Sequence, residues 1–320
     1  MVQLKRFVGN PILAPIENSP WESRAVFNPG ALLKDNIIHI LYRGIARNDK
    51  YYISQLGHAY SDDGFHFTRT QKQPVLEPKE AYDKWSIEDP RIMTIDKEIY
   101  VTYVAINVPV PTPKKLSYTA LASTKDFLNF QRLGVITARE DIDDRDTVLF
   151  PEKFGNDYIM LHRPQQITLN GKYQEFESGL PSRIWLTRSS SLTQWNMGSP
   201  LLKPEYLWES SKIGIGPPPL KTEKGWLLIY HGVDKNYVYR IGLALLDLQD
   251  PTIVIRRLPY PVLEPKENYE TTGDFPNVVF PCGAVIREGK LFVYYGGADK
   301  VCAVATAGLE EVLDSLLTSG

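Results

Sequence analysis

The chain has 320 residues, 43% of them hydrophobic, and 36 Lys and Arg against 38 Asp and Glu leave a formal net charge of −2. That balance excludes nucleic-acid binding through a global basic field and leaves local clusters as the only anion sites. No run approaches the ~18 apolar residues of a membrane helix, and Met1-Val-Gln-Leu-Lys-Arg-Phe7 lacks the apolar stretch of a secretory signal, so a soluble, cytoplasmic protein is expected.

The first element in chain order is a proline-bracketed block, Pro11-Ile-Leu-Ala-Pro15, and it repeats. It returns as Pro74-Val-Leu-Glu-Pro78, Pro200-Leu-Leu-Lys-Pro204 and Pro261-Val-Leu-Glu-Pro265. The offsets are 74 − 11 = 63, 200 − 74 = 126 and 261 − 200 = 61, and the degenerate Leu133-Gly-Val-Ile136 falls in the double gap. The chain therefore holds five units. Repeats of this length built from short strands predict radially arranged blades, an all-β five-bladed β-propeller forming one domain over residues 1–320.

Each unit follows one order. A first strand enters through a polar or aromatic segment: Trp21–Ala31, Trp85–Ile92, Asp143–Phe150, Trp208–Gly216 and Tyr269–Asn277. A turn carrying Gly, Asn or Asp follows, as at Lys34-Asp-Asn36 and Glu288-Gly-Lys290, since these residues tolerate positive φ. Next comes an aromatic-rich second strand, such as Ile38–Tyr42 or Leu291–Tyr295, and then a third strand with small residues, such as Gly57–Ser61. The Pro-x-Leu-x-Pro block is expected to close each blade as an outer edge strand, where missing N–H donors do least harm. Two insertions break the rhythm at 107–118 and 165–182, a length that suits functional loops. Leu309, Val312, Leu313, Leu316 and Leu317 have the spacing of a short amphipathic C-terminal helix. Cys282 and Cys302 are too few for a disulfide framework and are expected reduced in the core, on neighbouring strands.

Equivalent positions of the units converge on the axis. At the starts stand Asn28, Glu88-Asp89, Arg145-Asp146, Lys212 and Glu270; at or beyond the second-strand ends stand Arg43, His162-Arg163, His231 and Asp299. Burying so many polar groups without partners costs several kcal/mol each, so a polar small-molecule site is the cheaper reading, with a ring of inter-blade salt bridges as its rival. Arg145, Arg163, Lys212 and His231 come from two consecutive units and together suit a phosphate or carboxylate. Asp89 is followed by Pro90, which should hold it extended, and only one of Glu88 and Asp89 should face the channel. Asp89 as an acid and Asp89 as an ion-pair partner of Arg91 stand as equal alternatives. The five histidines fit no metal-ligand spacing, so no metal is expected.

The motifs resemble those of the five-bladed mannoside phosphorylases and mannosidases of glycoside hydrolase family 130, over nearly the whole chain. The resemblance is carried by Val26-Phe-Asn-Pro-Gly-Ala31, Glu88-Asp-Pro-Arg-Ile92, Val148-Leu-Phe-Pro-Glu-Lys153, Leu161-His-Arg-Pro164, Lys212-Ile-Gly-Ile-Gly216, Gly225–Val233, Leu245-Leu-Asp-Leu248, Phe280-Pro-Cys-Gly283 and Tyr294–Asp299. It implies Asp89 as the catalytic acid, acting through the mannosyl 3-hydroxyl. It implies a phosphate set of Arg145, Arg163, Lys212 and His231, and a mannosyl set of Asn28, Arg43, Glu270 and Asp299. Because family hydrolases lack much of the phosphate set, it points to an inverting β-mannoside phosphorylase. That enzyme uses inorganic phosphate as co-substrate and no other cofactor, and releases α-mannose 1-phosphate from β-mannosides or mannooligosaccharides. Pro29 stands where some β-1,4-acting members carry a small hydroxylated residue, which leans the linkage toward β-1,2. A β-mannoside hydrolase and a non-catalytic propeller scaffold are the competing readings, and a homo-oligomer is left open.

Overall fold

The computed structural model describes residues 1–47, 52–109, 117–137, 139, 142–167, 173–174 and 182–318. Five antiparallel sheets form in chain order, each meandering outward from a first strand. Those first strands are Ala25–Lys34, Ser86–Ile95, Ile142–Leu149, Lys212–Ile215 and Val279–Arg287. Around the axis the first strands of blades one to four pack in succession, that of blade five packs against blade one, and Leu220–Thr222 of blade four packs against Val279–Arg287 of blade five. The apolar clusters lie between neighbouring blades; one joins Leu227, Ile229 and Leu243 of the fourth sheet to Val293, Ala303 and Ala305 of the fifth. This is a five-bladed β-propeller.

The turn residues behave as their chemistry demands: Asp35 and Asn36 have φ of 50° and 63°, and Glu288 and Gly289 have φ of 50° and 71°. In the fourth blade, Pro217, Pro218 and Pro219 supply no N–H donors, and the inner edge splits into Lys212–Ile215 and Leu220–Thr222, both paired to Gly225–Val233. The helix Leu309–Thr318 closes the fold, burying Val312, Leu313 and Leu316 while Leu317 stays 38% exposed. No helix among the described residues is long and apolar enough to cross a membrane.

Three expectations need correction. The proline block is not itself the edge strand in most blades. Short fourth strands such as Thr68–Arg69 and Val254–Arg257 do that, and Leu13, Leu76 and Leu263 each add one isolated bridge to a third strand. Prolines on both sides lack the donors a longer ladder needs; the copy at Ser199–Leu202 and the degenerate, proline-free copy overlapping Phe130–Val135 are the ones that pair as true strands. The outer strand of the last blade comes from the other end of the chain, with Lys5–Arg6 paired to Val301–Gly308, so the ring is latched by its N-terminus. Finally, Cys282 and Cys302 are free and buried, but the strand Lys290–Gly297 separates theirs. Of the two insertions, residues 110–116, 168–172 and 175–181 lie outside the described residues.

Candidate active site

A cavity of about 610 Å³ opens at the axis, a size typical of small-molecule sites. Asn28, Arg43, Asp89 and Asp299 line it, as do Arg145, Arg163, Lys212 and His231. Eight of the nine sequence-derived site residues thus meet in one place.

A repeated backbone device brings three acidic or amide groups inward. Asn28, Asp89 and Asp146 occupy equivalent points of the first three blades, with φ of 49°, 50° and 53°. Each sits in a bulge, where the register to the second strand slips between Phe27 and Gly30, Glu88 and Arg91, and Arg145 and Val148. Asn and Asp are the non-glycine residues that best tolerate this left-handed region. A bulge re-aims a side chain out of strict alternation. Pro90 therefore does not hold Asp89 extended, contrary to the expectation from its sequence context. Two glycines make room. A Cβ at Gly296 would collide with Asn28 Oδ1, and one at Gly214 with Asp146 Oδ2 and His231 Cε1.

At one end of the cavity Asp89 Oδ1 accepts from Asn28 Nδ2 at 2.8 Å and from Arg43 Nη1 at 3.4 Å. Arg43 also holds Glu88 Oε1 at 2.9 Å, so one guanidinium gathers both neighbouring acids. Asp89 lines the cavity, whereas Glu88 lies behind it and takes a second cation, Arg145, at 3.5 Å. Arg91 is not Asp89's ion-pair partner. It pairs with Asp146 at 3.1 Å and touches Asp89 only by donating to its backbone carbonyl. Asp299, at the same end, is pushed up to about 7 by burial, with Asp89 and Glu88 adding negative charge and Arg43 opposing them.

At the other end Arg145 Nε donates to Asp143 at 3.2 Å and Arg163 Nε to Asp146 at 2.6 Å. Lys212 Nζ lies 5.0 Å from the centre of the Tyr239 ring. Burial, helped by the Arg163 and Arg145 charges, lowers the Lys212 ammonium to about 7. Burial also lowers His231 to about 3, so at neutral pH it is an uncharged hydrogen-bonding group and not a fourth cation. Its Nδ1 is buried without a protein partner. The cavity wall here thus holds two guanidiniums, an ammonium whose charge burial disfavours and a neutral imidazole, with Asp143 and Asp146 lining it beside them. Arg145 pairs with Asp143 and Glu88, and Arg163 with Asp146, so each guanidinium is held in place by a carboxylate, and together with Lys212 and His231 they offer N–H donors to an entering anion.

Glu270 is the residue that does not arrive. It is fully buried away from the cavity and accepts from Tyr295 Oη at 2.7 Å, Arg6 Nε at 2.8 Å and the Lys266 and Glu267 backbone N–H groups. The same latch recurs around the ring. Glu22 takes Tyr42 and Arg69, Asp83 takes Tyr103 and Arg132, and Glu209 takes Tyr230 and Arg257. In the third blade, Asp144 and His162 form a related buried pair at 2.8 Å. Glu270 is thus the fifth blade's copy of a structural carboxylate, and through Arg6 it locks the N-terminal strand. Glu270→Ala is expected to cost about 3–5 kcal/mol by stranding a partly buried Arg6. Turnover per folded molecule should stay as in wild type; urea unfolding and activity measured on the same samples separate the two effects.

Asp299 supplies a pH signature. A carboxyl raised from its ordinary range to about 7 adds stability at low pH that is lost as pH climbs from about 4 to about 7. Buried neutral His231 gives the opposite slope between about 3 and 6.5, so the informative quantity is Asp299→Asn minus wild type. That difference is expected to turn in favour of the variant as pH rises through this window. A difference independent of pH in urea titrations at pH 4.5, 6 and 7.5 would remove the raised carboxyl.

The sequence profile of a glycoside hydrolase 130 family, described as β-1,4-mannooligosaccharide phosphorylase, matches residues 4–318. The chain belongs to glycoside hydrolase family 130. Within it, the chain is 39% identical to a 1,2-β-oligomannan phosphorylase of Thermoanaerobacter sp. (strain X514), over 98% of this chain and 99% of that protein. It is 38% identical to a β-1,2-mannobiose phosphorylase of the same organism, again over 98% and 99%. The β-1,2-mannobiose phosphorylase from Listeria innocua, solved as its β-1,2-mannobiose complex, superposes with a TM-score of 0.82 at 30% identity, covering 98% and 99% of the two chains. Family membership accounts for the ring of five blades and for the motifs along it. Several groups lining this family 130 cavity were not among the residues expected from sequence, chief among them Asp143, Tyr239 and Phe280, while Asp146 was placed on the axis but given no role. A role for it was within reach, because an Asn or Asp stands at the same point of three consecutive blades.

Proposed function

We propose that this chain is an inverting β-1,2-mannoside phosphorylase that takes β-mannosides or mannooligosaccharides and inorganic phosphate to α-mannose 1-phosphate and a shortened acceptor, reversibly. The observation that carries the reading is the two-ended cavity. All eight groups line one cavity, where Arg163, His231, Lys212 and Arg145 gather about Asp146 and Asp143, and Asn28, Arg43 and Asp299 gather about Asp89. The β-1,2 linkage is supported by the names of the relatives at 38–39% identity.

An inverting hydrolase needs a second carboxylate to activate water. Phosphate is already an anionic nucleophile and needs to be held and aimed. Hydrogen phosphate at the basic end attacks the anomeric carbon from the face opposite the leaving group. The C1–O bond to the acceptor breaks as the C1–O bond to phosphate forms. Asp89 delivers a proton to the departing oxygen by way of the mannosyl 3-hydroxyl, and the proton of hydrogen phosphate, returned through solvent, restores it. Arg145 and Arg163 spread the phosphate charge, and placement of both reactants supplies much of the rate. No metal or organic cofactor enters this scheme. Abundant inorganic phosphate and two buried free thiols suit a cytoplasmic enzyme.

The test is incubation with β-1,2- and β-1,4-mannobiose, each with and without inorganic phosphate, assaying mannose 1-phosphate and free mannose separately. Phosphate-dependent mannose 1-phosphate, formed preferentially from the β-1,2 sugar, is expected. Free mannose at a rate indifferent to phosphate would make the chain a hydrolase and overturn the assignment of the basic end.

A further inference from the structure

We propose that Asp146 and Arg91 are a positioning pair that ties the anion end of the cavity to the backbone of Asp89 and so sets the distance between nucleophile and acid. The inference rests on the phosphorolysis reading above, and neither residue is among the phosphate, mannosyl or acid groups that reading names.

Asp146 and Arg91 are both buried, with side chains 3% and 1% exposed. Asp146 Oδ2 takes Arg163 Nε at 2.6 Å, and its Oδ1 takes Arg91 Nη2 at 3.1 Å. Holding Arg163 by Nε fixes the plane of its guanidinium and leaves its Nη edge to other partners, of which Gln165 is one. The His231 ring lies 3.8 Å from the same carboxylate. Arg91 continues the chain of contacts. It donates to the carbonyls of Asp89 at 3.0 Å, Gly216 at 2.8 Å and Ile215 at 3.3 Å. One ion pair therefore joins the left-handed turn that carries Asp89 in blade two, the equivalent turn in blade three and the strand end after Lys212 in blade four. Burying two guanidiniums on one carboxylate is costly unless every contact is satisfied. The latch carboxylates such as Glu22 already provide blade-to-edge stability elsewhere, so this pair is placed where its geometry bears on reactant placement. An error of about 1 Å in such placement costs about 10²-fold in rate.

The experiment compares wild type with Asp146→Asn, Arg91→Lys and, as a structural control, Glu22→Gln. Glu22 is an equally buried carboxylate, bonded to Tyr42 and Arg69. Tm, kcat, KM for phosphate, and phosphate affinity by calorimetry with inorganic phosphate alone are measured for each. Asp146→Asn is expected to weaken phosphate, in KM and in calorimetric Kd, by at least about tenfold, the worth of a charge-assisted hydrogen bond. Arg91→Lys keeps the charge and loses the fork; it is expected to lower kcat by about 10²-fold with a smaller change in phosphate KM. Glu22→Gln lowers Tm and leaves all three functional readings within twofold of wild type, about RT ln 2. If Asp146→Asn and Arg91→Lys behave like Glu22→Gln, losing Tm alone, the pair is only structural and the proposal is overturned. Should Asp146→Asn not fold, Arg91→Lys decides by its kcat. Wild type that binds phosphate but turns nothing over counts against the phosphorylase reading instead, and the pair is then judged on the calorimetric affinity of Asp146→Asn, unchanged affinity sinking it.

Discussion

Asp89→Asn lowers kcat for mannobiose phosphorolysis by about 10²–10⁴-fold, the contribution of a positioned general acid. Tm stays close to that of wild type. The two outcomes belong together because of how the side chain is held. Its Oδ1 accepts from Asn28 and Arg43, and an amide oxygen can keep both bonds. What the amide cannot do is release a proton to a leaving oxygen. The loss should therefore shrink for an activated aryl mannoside, whose leaving group needs little protonation, and should be full for mannobiose. Near-normal turnover of mannobiose by Asp89→Asn would remove the residue from the acid role, because no other change in the site accompanies the substitution.

The second large effect is a trade between stability and binding at Lys212. Lys212→Met is expected to raise KM for phosphate by about 10–150-fold, as one charge-assisted hydrogen bond is lost. The same variant should be more stable than wild type at neutral and lower pH. The ordinary lysine value is 10.5, and burial brings Lys212 to about 7. Between those values the unfolded chain binds one more proton than the folded chain, so this residue makes stability rise with pH across that window. Below about 7 the folded protein carries the full cost of a buried ammonium without its anion. Methionine removes that cost, so the gain in Tm is largest at pH 6 and fades toward pH 10.5. Thermal melts at pH 6 and pH 10, with and without phosphate, read both halves. An unchanged phosphate KM, or a lower Tm at pH 6, would count against Lys212 as an anion ligand held in strain by the fold.

Glu270 marks where sequence reading went astray, and the repeat itself explains why. Trp85 was aligned with Trp21 and Trp208 as the start of a unit. The true equivalents are aromatic–acid dipeptides: Trp21-Glu22, Tyr82-Asp83, Trp208-Glu209 and Tyr269-Glu270. Each acid precedes its tyrosine by a similar interval: 42 − 22 = 20, 103 − 83 = 20, 230 − 209 = 21 and 295 − 270 = 25. That regularity identifies a carboxylate needed once per blade, for holding strands together. A residue required by every blade is a poor candidate for a site that exists once. By the same logic Asp89 differs from its equivalents Asn28 and Asp146 in its partners, and those differences come only from the third dimension.

The sequence by itself determined the number of blades, the order of their inner strands, the C-terminal helix and eight of the polar residues that meet at the axis. Period and alternation dictate these directly, because every unit must bury the same faces against its neighbours. Only the tertiary structure decided how those residues are presented. Strand alternation allowed one of Glu88 and Asp89 to face inward, and a bulge with left-handed φ settled which. The partner of Arg91, the neutrality of His231 and the lowered Lys212 ammonium follow from burial and from neighbours distant in the chain, such as Asp146 beside Arg91. Electrostatic environment is a property of distances across blades, and no repeat period encodes it.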